Sequence, residues 1–299
     1  MRRLDGLLQG DHLGLLPGPG TESAEGREYL PGDDVRAMDW NLTARMPVPH
    51  VRDRIADREL ETWALVDATP SMDFGTGSVE KRDLAVFAVG AVAFLTERTG
   101  NRVGAHILHG GGLRNVPARS GRPHVLRLLR ALLEVPRGEP GGAERPRLGP
   151  GAELMLRTTS ARHGLAVVVS DFLEPVESWE RSLKLLAHRH QLLAVEVVDP
   201  RELTLPDVGL LPVVDPETGR RRDISTANPR LRERYALAAA EQRSLIGAAL
   251  RRAGAAHLRL RTDRDWIRDI VEHVLAQRRT AAAAAAPAPA AAPLRGGAG

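Results

Sequence analysis

Five short apolar runs, each followed by a longer amphipathic stretch, constrain this chain more than any other feature of its sequence. The runs are Trp63–Asp67, Val103–Leu108, Leu165–Ser170, Leu192–Val198 and Ala256–Leu260. Runs this short and this apolar suit strands buried on both faces, as in a parallel sheet. Helical patterns separate and follow them at Val79–Thr99, Pro123–Leu133, Ala152–Ala161, Val176–His190, Pro229–Ala253 and Asp265–Arg278. The alternation predicts a doubly wound α/β sheet over residues 61–279.

Two stretches interrupt the pattern. Pro136–Pro150 is a Gly/Pro-rich loop. Within 199–228, "GLLPVVDPETGRRRDIST" places two extended runs around Asp215-Pro216-Glu217-Thr218-Gly219, which predicts an inserted β-hairpin. Residues 1–60, rich in Gly, Pro and charge, form an N-terminal arm with a strand candidate near Val48–Ile55. Residues 280–299, made of Ala, Pro and Gly, are expected to be a disordered tail rather than an alanine helix.

Composition removes several functions. The chain has no cysteine, which excludes disulfides, thiolate metal sites and cysteine nucleophiles. The segment MRRLDGLLQG lacks the apolar core of a signal peptide, and the longest apolar run, Ala85–Leu95, is well short of the roughly 20 residues that span a bilayer. The expectation is a cytoplasmic protein without a membrane span. The net charge of +4 comes almost wholly from arginine, since lysine occurs only at 81 and 184. Those arginines are interleaved with acids and aromatics are only 3%, so a solvated surface fits better than a nucleic-acid stripe.

The chemistry concentrates where strands end. Asp67-x-Thr69-x-Ser71 closes the first run, and "LAVVVSDF" closes another on Ser170 and Asp171. Carboxylate and hydroxyl oxygens suit hard cations such as Mg²⁺ or Mn²⁺. Thr69 or Ser71 is equally able to cap the following helix. If the two strands are parallel neighbours, Asp67 and Asp171 meet at one sheet edge, where open α/β sheets bind ligands. With no lysine close by in sequence, two such carboxylates repel unless a cation or proton lies between them. A metal site at Asp67, Thr69, Ser71 and Asp171 is the expectation.

This pattern resembles the metal-ion-dependent adhesion site of von Willebrand factor A (vWA) domains. A second stretch, "REYLPGDDVRAMDWNLTAR" from Arg27 to Arg45, resembles the signature of the vWA-like family called domain of unknown function 58, and "VSDFLEP" and "DPETG" fit the same family. The resemblance implies a vWA-like sheet flanked by helices, a Mg²⁺ or Mn²⁺ ion, and a role as adaptor rather than enzyme. It also implies a partner, a MoxR-type AAA+ ATPase, acting with it on an unknown client in protein or complex maturation. The family's fifth metal donor is a threonine, and Gly151-Ala152-Glu153-Leu154 puts Ala152 in its place. That loss should weaken the ion unless water or Glu153 substitutes.

Within the signature, Arg27, Asp33, Asp34, Arg36, Asp39 and Arg45 alternate in charge around Tyr29 and Trp40. They suit a partly buried ion-pair network pinning the arm, and equally a partner-binding face. Two other functions remain to be weighed: a Mg²⁺-dependent phosphohydrolase using Asp67 and Asp171 with Lys81, Arg82 or Arg119 as its basic group, and an arginine-rich nucleic-acid binder. His109-Gly110-Gly111-Gly112 resembles an esterase oxyanion loop, but the chain has no Gly-x-Ser-x-Gly nucleophile elbow.

Overall fold

A computed structural model describes residues 27–29, 38, 40–46, 48–51, 61–97, 101–138, 146–159, 164–215 and 218–285. In the arm, β1 (Arg27–Glu28) pairs antiparallel with β2 (His50–Val51), and the single turn α1 (Trp40–Thr43) lies between them. Of the strand candidate at 48–55, only His50–Val51 is strand, and 52–60 lie outside the described residues.

The main sheet begins with β3 (Glu61–Asp67), whose alternation sets up both cores at once. Ala64 and Val66 pack on one side and Trp63 and Leu65 on the other, as a pleated strand requires. It is joined by β4 (Arg102–His109), β5 (Gly112–Arg119), β6 (Leu165–Ser170), β7 (Gln191–Val198) and β10 (Ala256–Arg261). The spatial order is β10-β7-β6-β3-β4-β5, parallel throughout except for the antiparallel edge strand β5. Helices α2 (Lys81–Glu97), α3 (Arg122–Leu133) and α7 (Trp266–Ala285) cover one face through Leu84, Val89, Leu128 and Ile270. Helices α4 (Leu148–Thr158), α5 (Glu180–Arg189) and α6 (Pro229–Arg252) cover the other through Met155, Leu183, Leu186 and Ile246. This is the doubly wound α/β architecture that the alternation predicts.

The strand order positions the site. From β3 the chain crosses by α2 to β4 on one side, and β6 later pairs on the other side of β3. Right-handed crossovers in opposite directions send their helices to opposite faces. The helices that follow β3 and β6 therefore lie on opposite faces, and the carboxyl rim between these strands is where sheets of this kind bind ligands.

Several boundaries differ from the sequence reading. Strand β5 was not expected: only Ala118 along it is buried, so no apolar run marks it. The apparent oxyanion loop His109–Gly112 is the turn joining β4 to β5, with Gly112 at φ 122°. Helix α4 starts at Leu148 rather than 152, because Pro150 falls in its first turn, where no N–H bond is needed. The pattern over 176–190 divides into a 3₁₀ turn, Val176–Ser178, and α5. The predicted hairpin is present as β8 (Leu210–Val214) and β9 (Arg221–Ser225). Helix α7 continues to Ala285, past residue 280 where the tail was placed; its alanines extend a helix already nucleated by tertiary packing.

Candidate functional site

Asp67 is the last residue of β3 and only 6% exposed. Its Oδ1 accepts from the Thr69 amide at 3.0 Å and the Thr69 hydroxyl at 2.6 Å, while Oδ2 accepts from Ser170 Oγ at 2.8 Å. The Thr69 and Ser71 hydroxyls lie 3.3 Å apart, and Ser71 helps to lower the Asp171 carboxyl. The four residues singled out in sequence thus converge at the rim between β3 and β6. Phe172, just beyond, takes the left-handed conformation (φ 54°), and the Leu173 amide after it donates to Asp171 Oδ1 at 3.1 Å. Burial of Phe172 against Trp179, edge to face, offsets that strain.

The cation between the strand tips is Lys81, which the sequence reading named only as a possible basic group for a phosphohydrolase and did not place against the carboxylates. Lys81, the first residue of α2, is 1% exposed and brings Nζ to 2.8 Å from Asp171 Oδ2 and 2.5 Å from Glu202 Oε1. The expectation of no lysine near the carboxylates holds for sequence distance and fails in space. Ten positions separate Lys81 from Ser71, yet the turn between them folds back and its first helical residue reaches under the rim. One signal was available: lysine occurs only twice in an arginine-rich chain, and one of the two opens the helix after the tripod. Its compact, flexible ammonium fits where a planar guanidinium would not.

Behind Lys81 the charges continue. Glu202 Oε2 accepts from Arg243 Nη2 at 3.1 Å, and Arg243 Nη1 donates to Glu196 Oε1 at 3.1 Å and to the Asp171 carbonyl at 2.9 Å. Glu196, fully buried on β7, also accepts from Arg259 at 2.7 Å and bonds His257 at 2.8 Å. A buried chain of alternating sign therefore runs from the rim to the sheet edge. Each charge has a partner, the condition under which buried ions are tolerated.

The two aspartates respond oppositely. Burial, then the Asp171 charge, pushes the Asp67 carboxyl up to about 6 against its hydrogen bonds from Thr69 and Ser170. Burial would also raise Asp171, but the Lys81 ammonium outweighs it and holds that carboxyl below its ordinary value. Lys81 itself loses by burial and gains more from Asp171 and Glu202, so it stays firmly protonated.

These residues fit a divalent ion poorly. An ammonium already occupies Asp171 Oδ2, and the Thr69 hydroxyl points its proton at Asp67. Ala152 is fully buried in an apolar cluster and offers no oxygen. Glu153 is exposed and accepts from Ser182 Oγ at 3.1 Å, so it does not replace the missing donor. Among the described residues no group of three or more His, Cys, Asp or Glu side chains is placed to hold a metal.

A third strand tip braces the loop above the site. Asp199, after β7, accepts from the Thr76 amide and hydroxyl, each at 2.6 Å, from Thr262 at 2.7 Å and from the Arg201 amide at 2.9 Å. The Ser78 amide donates to the Thr262 carbonyl at 3.0 Å. These bonds fix the turn 74–78 and leave Phe74 at its start 41% exposed.

The N-terminal signature is seen only in part. Arg27 pairs with Val51 through backbone, the Tyr29 amide donates to the Pro49 carbonyl at 2.8 Å, Trp40 is 70% exposed and Arg45 is exposed. Asp33, Asp34, Arg36 and Asp39 lie outside the described residues.

A family model described as "Protein of unknown function DUF58" matches residues 25–245. The chain belongs to the DUF58 family. Relatives include the uncharacterized protein Rv1480 of Mycobacterium tuberculosis, 51% identical over 282 residues, covering 94% of this chain and 87% of that one. Another, MAV169 of Mycobacterium avium, is 44% identical over 171 residues, covering 57% of this chain and 98% of its own. Solved structures similar to this DUF58 chain include BatB from Bacteroides thetaiotaomicron, at 16% identity and TM-score 0.42 over 74% of this chain and 99% of that one. The SpRpn10 VWA domain is similar at 15% identity and TM-score 0.35 over 46% and 75%. Among the described residues no helix is long and apolar enough to cross a membrane.

Proposed function

We propose that this DUF58 protein is a non-enzymatic docking domain that recognises a partner protein at the carboxyl rim of its sheet. The observation that carries the reading is an exposed aromatic, Phe74, which follows the Asp67–Ser71 tripod in sequence and opens the turn held by the Thr76–Asp199 bonds. A rigidly presented aromatic beside polar groups is the usual composition of an interface anchor. The partner class follows from the family resemblance: a MoxR-type AAA+ ATPase, with which the domain would act on a client in protein or complex maturation.

The phosphohydrolase reading loses its basic group. Lys81 is enclosed by two carboxylates, Arg82 pairs with Asp73 and donates to the Val135 carbonyl at 2.7 Å, and Arg119 opposes Val103 at the other end of the sheet. None faces a substrate. Many arginines that raised the nucleic-acid reading are likewise engaged in ion pairs, among them Arg243, Arg252, Arg259 and Arg261.

Capture of a MoxR-type ATPase by the wild-type chain and by Phe74→Glu tests the proposal. The variant should lose at least about tenfold in affinity, as interface anchors do, with an unchanged melting temperature. Equal capture would overturn docking at this rim.

A further inference from the structure

The rim has a property that docking alone does not require: a positive charge built into the fold at the position where the adhesion-site pattern calls for a metal. We propose that Lys81 is the resident cation of this site, so that docking there proceeds without any divalent ion. The inference rests on the docking reading for its consequence, but its physical content is independent of it.

Three observations carry it. The Lys81 ammonium is buried to 1% exposure and bridges Asp171 at 2.8 Å and Glu202 at 2.5 Å, so it joins the tip of β6 to the turn after β7. Glu202 is itself fixed, accepting from the Asp199 amide at 3.2 Å in a capping box and from Arg243, so the ammonium has a defined seat. The helix that would complete a metal's coordination presents Ala152, fully buried, with Gly151 packed so closely that a Cβ would meet Leu108 at 2.9 Å. Neither residue has a side-chain oxygen to offer. The charge a metal would bring is already present, and one of the two carboxylates a metal would need is already neutralised. A divalent ion entering beside Asp67 would meet a fixed positive charge that water cannot screen.

The same geometry explains why lysine stands at this position in a chain that otherwise uses arginine. The third proton of the ammonium, and its freedom to rotate, let one small group satisfy acceptors on two different loops. The hydroxyl of Thr69, which would turn a lone pair toward a metal, instead donates to Asp67.

The test is a Mn²⁺ titration of the full chain followed by electron paramagnetic resonance, with partner capture measured in Mg²⁺ and in EDTA. Wild type should bind no stoichiometric Mn²⁺ up to about 1 mM, the weak end of protein sites for hard divalent ions, and its melting temperature should not respond to Mg²⁺ or EDTA. Lys81→Met, which leaves Asp171 without its ammonium and Glu202 with Arg243 alone, should gain Mn²⁺ affinity by about tenfold or more. One Mn²⁺ bound by wild type with a dissociation constant below about 100 µM, and lost in Asp67→Asn, would overturn the inference and leave docking intact. Should Lys81→Met fail to fold, the wild-type titration decides alone. Capture equal in both buffers supports the inference. Capture in neither buffer would overturn the docking reading, while the Mn²⁺ result would still decide the identity of the cation.

Discussion

Asp67 and Asp171 are the same residue type at the same sheet edge, and their surroundings give them different chemistry. Asp171 has the ammonium; Asp67 has hydroxyl and amide donors only, and its carboxyl titrates near 6. Because the folded protein holds that proton more tightly than the unfolded chain does, Asp67 favours folding below about pH 4. The contribution is lost as pH rises toward 6. Asp67→Asn removes this titration, so the variant should gain on wild type by about 1–3 kcal/mol between pH 4 and pH 8. Urea unfolding at the two pH values measures the difference. A constant difference would show that the Asp67 carboxyl is not perturbed. Asp171, whose carboxyl is lowered, works in the opposite sense: its contribution is present above its unfolded value near 4 and is lost as pH falls below.

The element that converts this rim into a surface is the turn 74–78. It lies so close to the exit of β10 that a Cβ on Gly77 would meet the Thr262 carbonyl oxygen at 2.2 Å. Only a residue without a side chain lets the turn approach, donate from Ser78 to Thr262, and close the Asp199 bonds from Thr76. Gly77→Ala should therefore lift the turn, weaken partner capture and lower stability by about 1–3 kcal/mol. Comparing its capture with that of a variant equally destabilised at Gly104, where a Cβ would meet Trp63 at 2.8 Å far from the rim, separates the two effects. If both variants lose capture alike, the turn has no special part in docking.

Strands β3, β6 and β7 were legible because they are buried on both faces and read as unbroken apolar runs. Strand β5 was not, since an edge strand with one face in water leaves "GLRNVPAR" without an apolar run. The site divided in the same way. Asp67, Thr69, Ser71 and Asp171 were found because strand ends are visible in sequence and the strands proved to be neighbours. Glu202 and Arg243 were not, nor was the place of Lys81 between them, because their meeting depends on crossover paths that bring together residues 41 to 121 positions apart.

The proposed docking surface occupies one rim of a sheet with two cores, and the opposite rim has no part in docking. His124 marks that opposite rim, bonding the Val103 carbonyl at 2.9 Å at the start of β4. Leu126, nearby on α3, is 53% exposed and gives a matched control for Phe74. The most direct measurement is site-specific photocrosslinking with a benzophenone side chain installed at position 74 or at position 126, in the presence of the MoxR-type ATPase. Docking at this rim without a divalent ion gives crosslinks to the partner from 74 and none from 126, with the same yield in EDTA as in Mg²⁺. Crosslinking from 126 but not from 74 would contradict it.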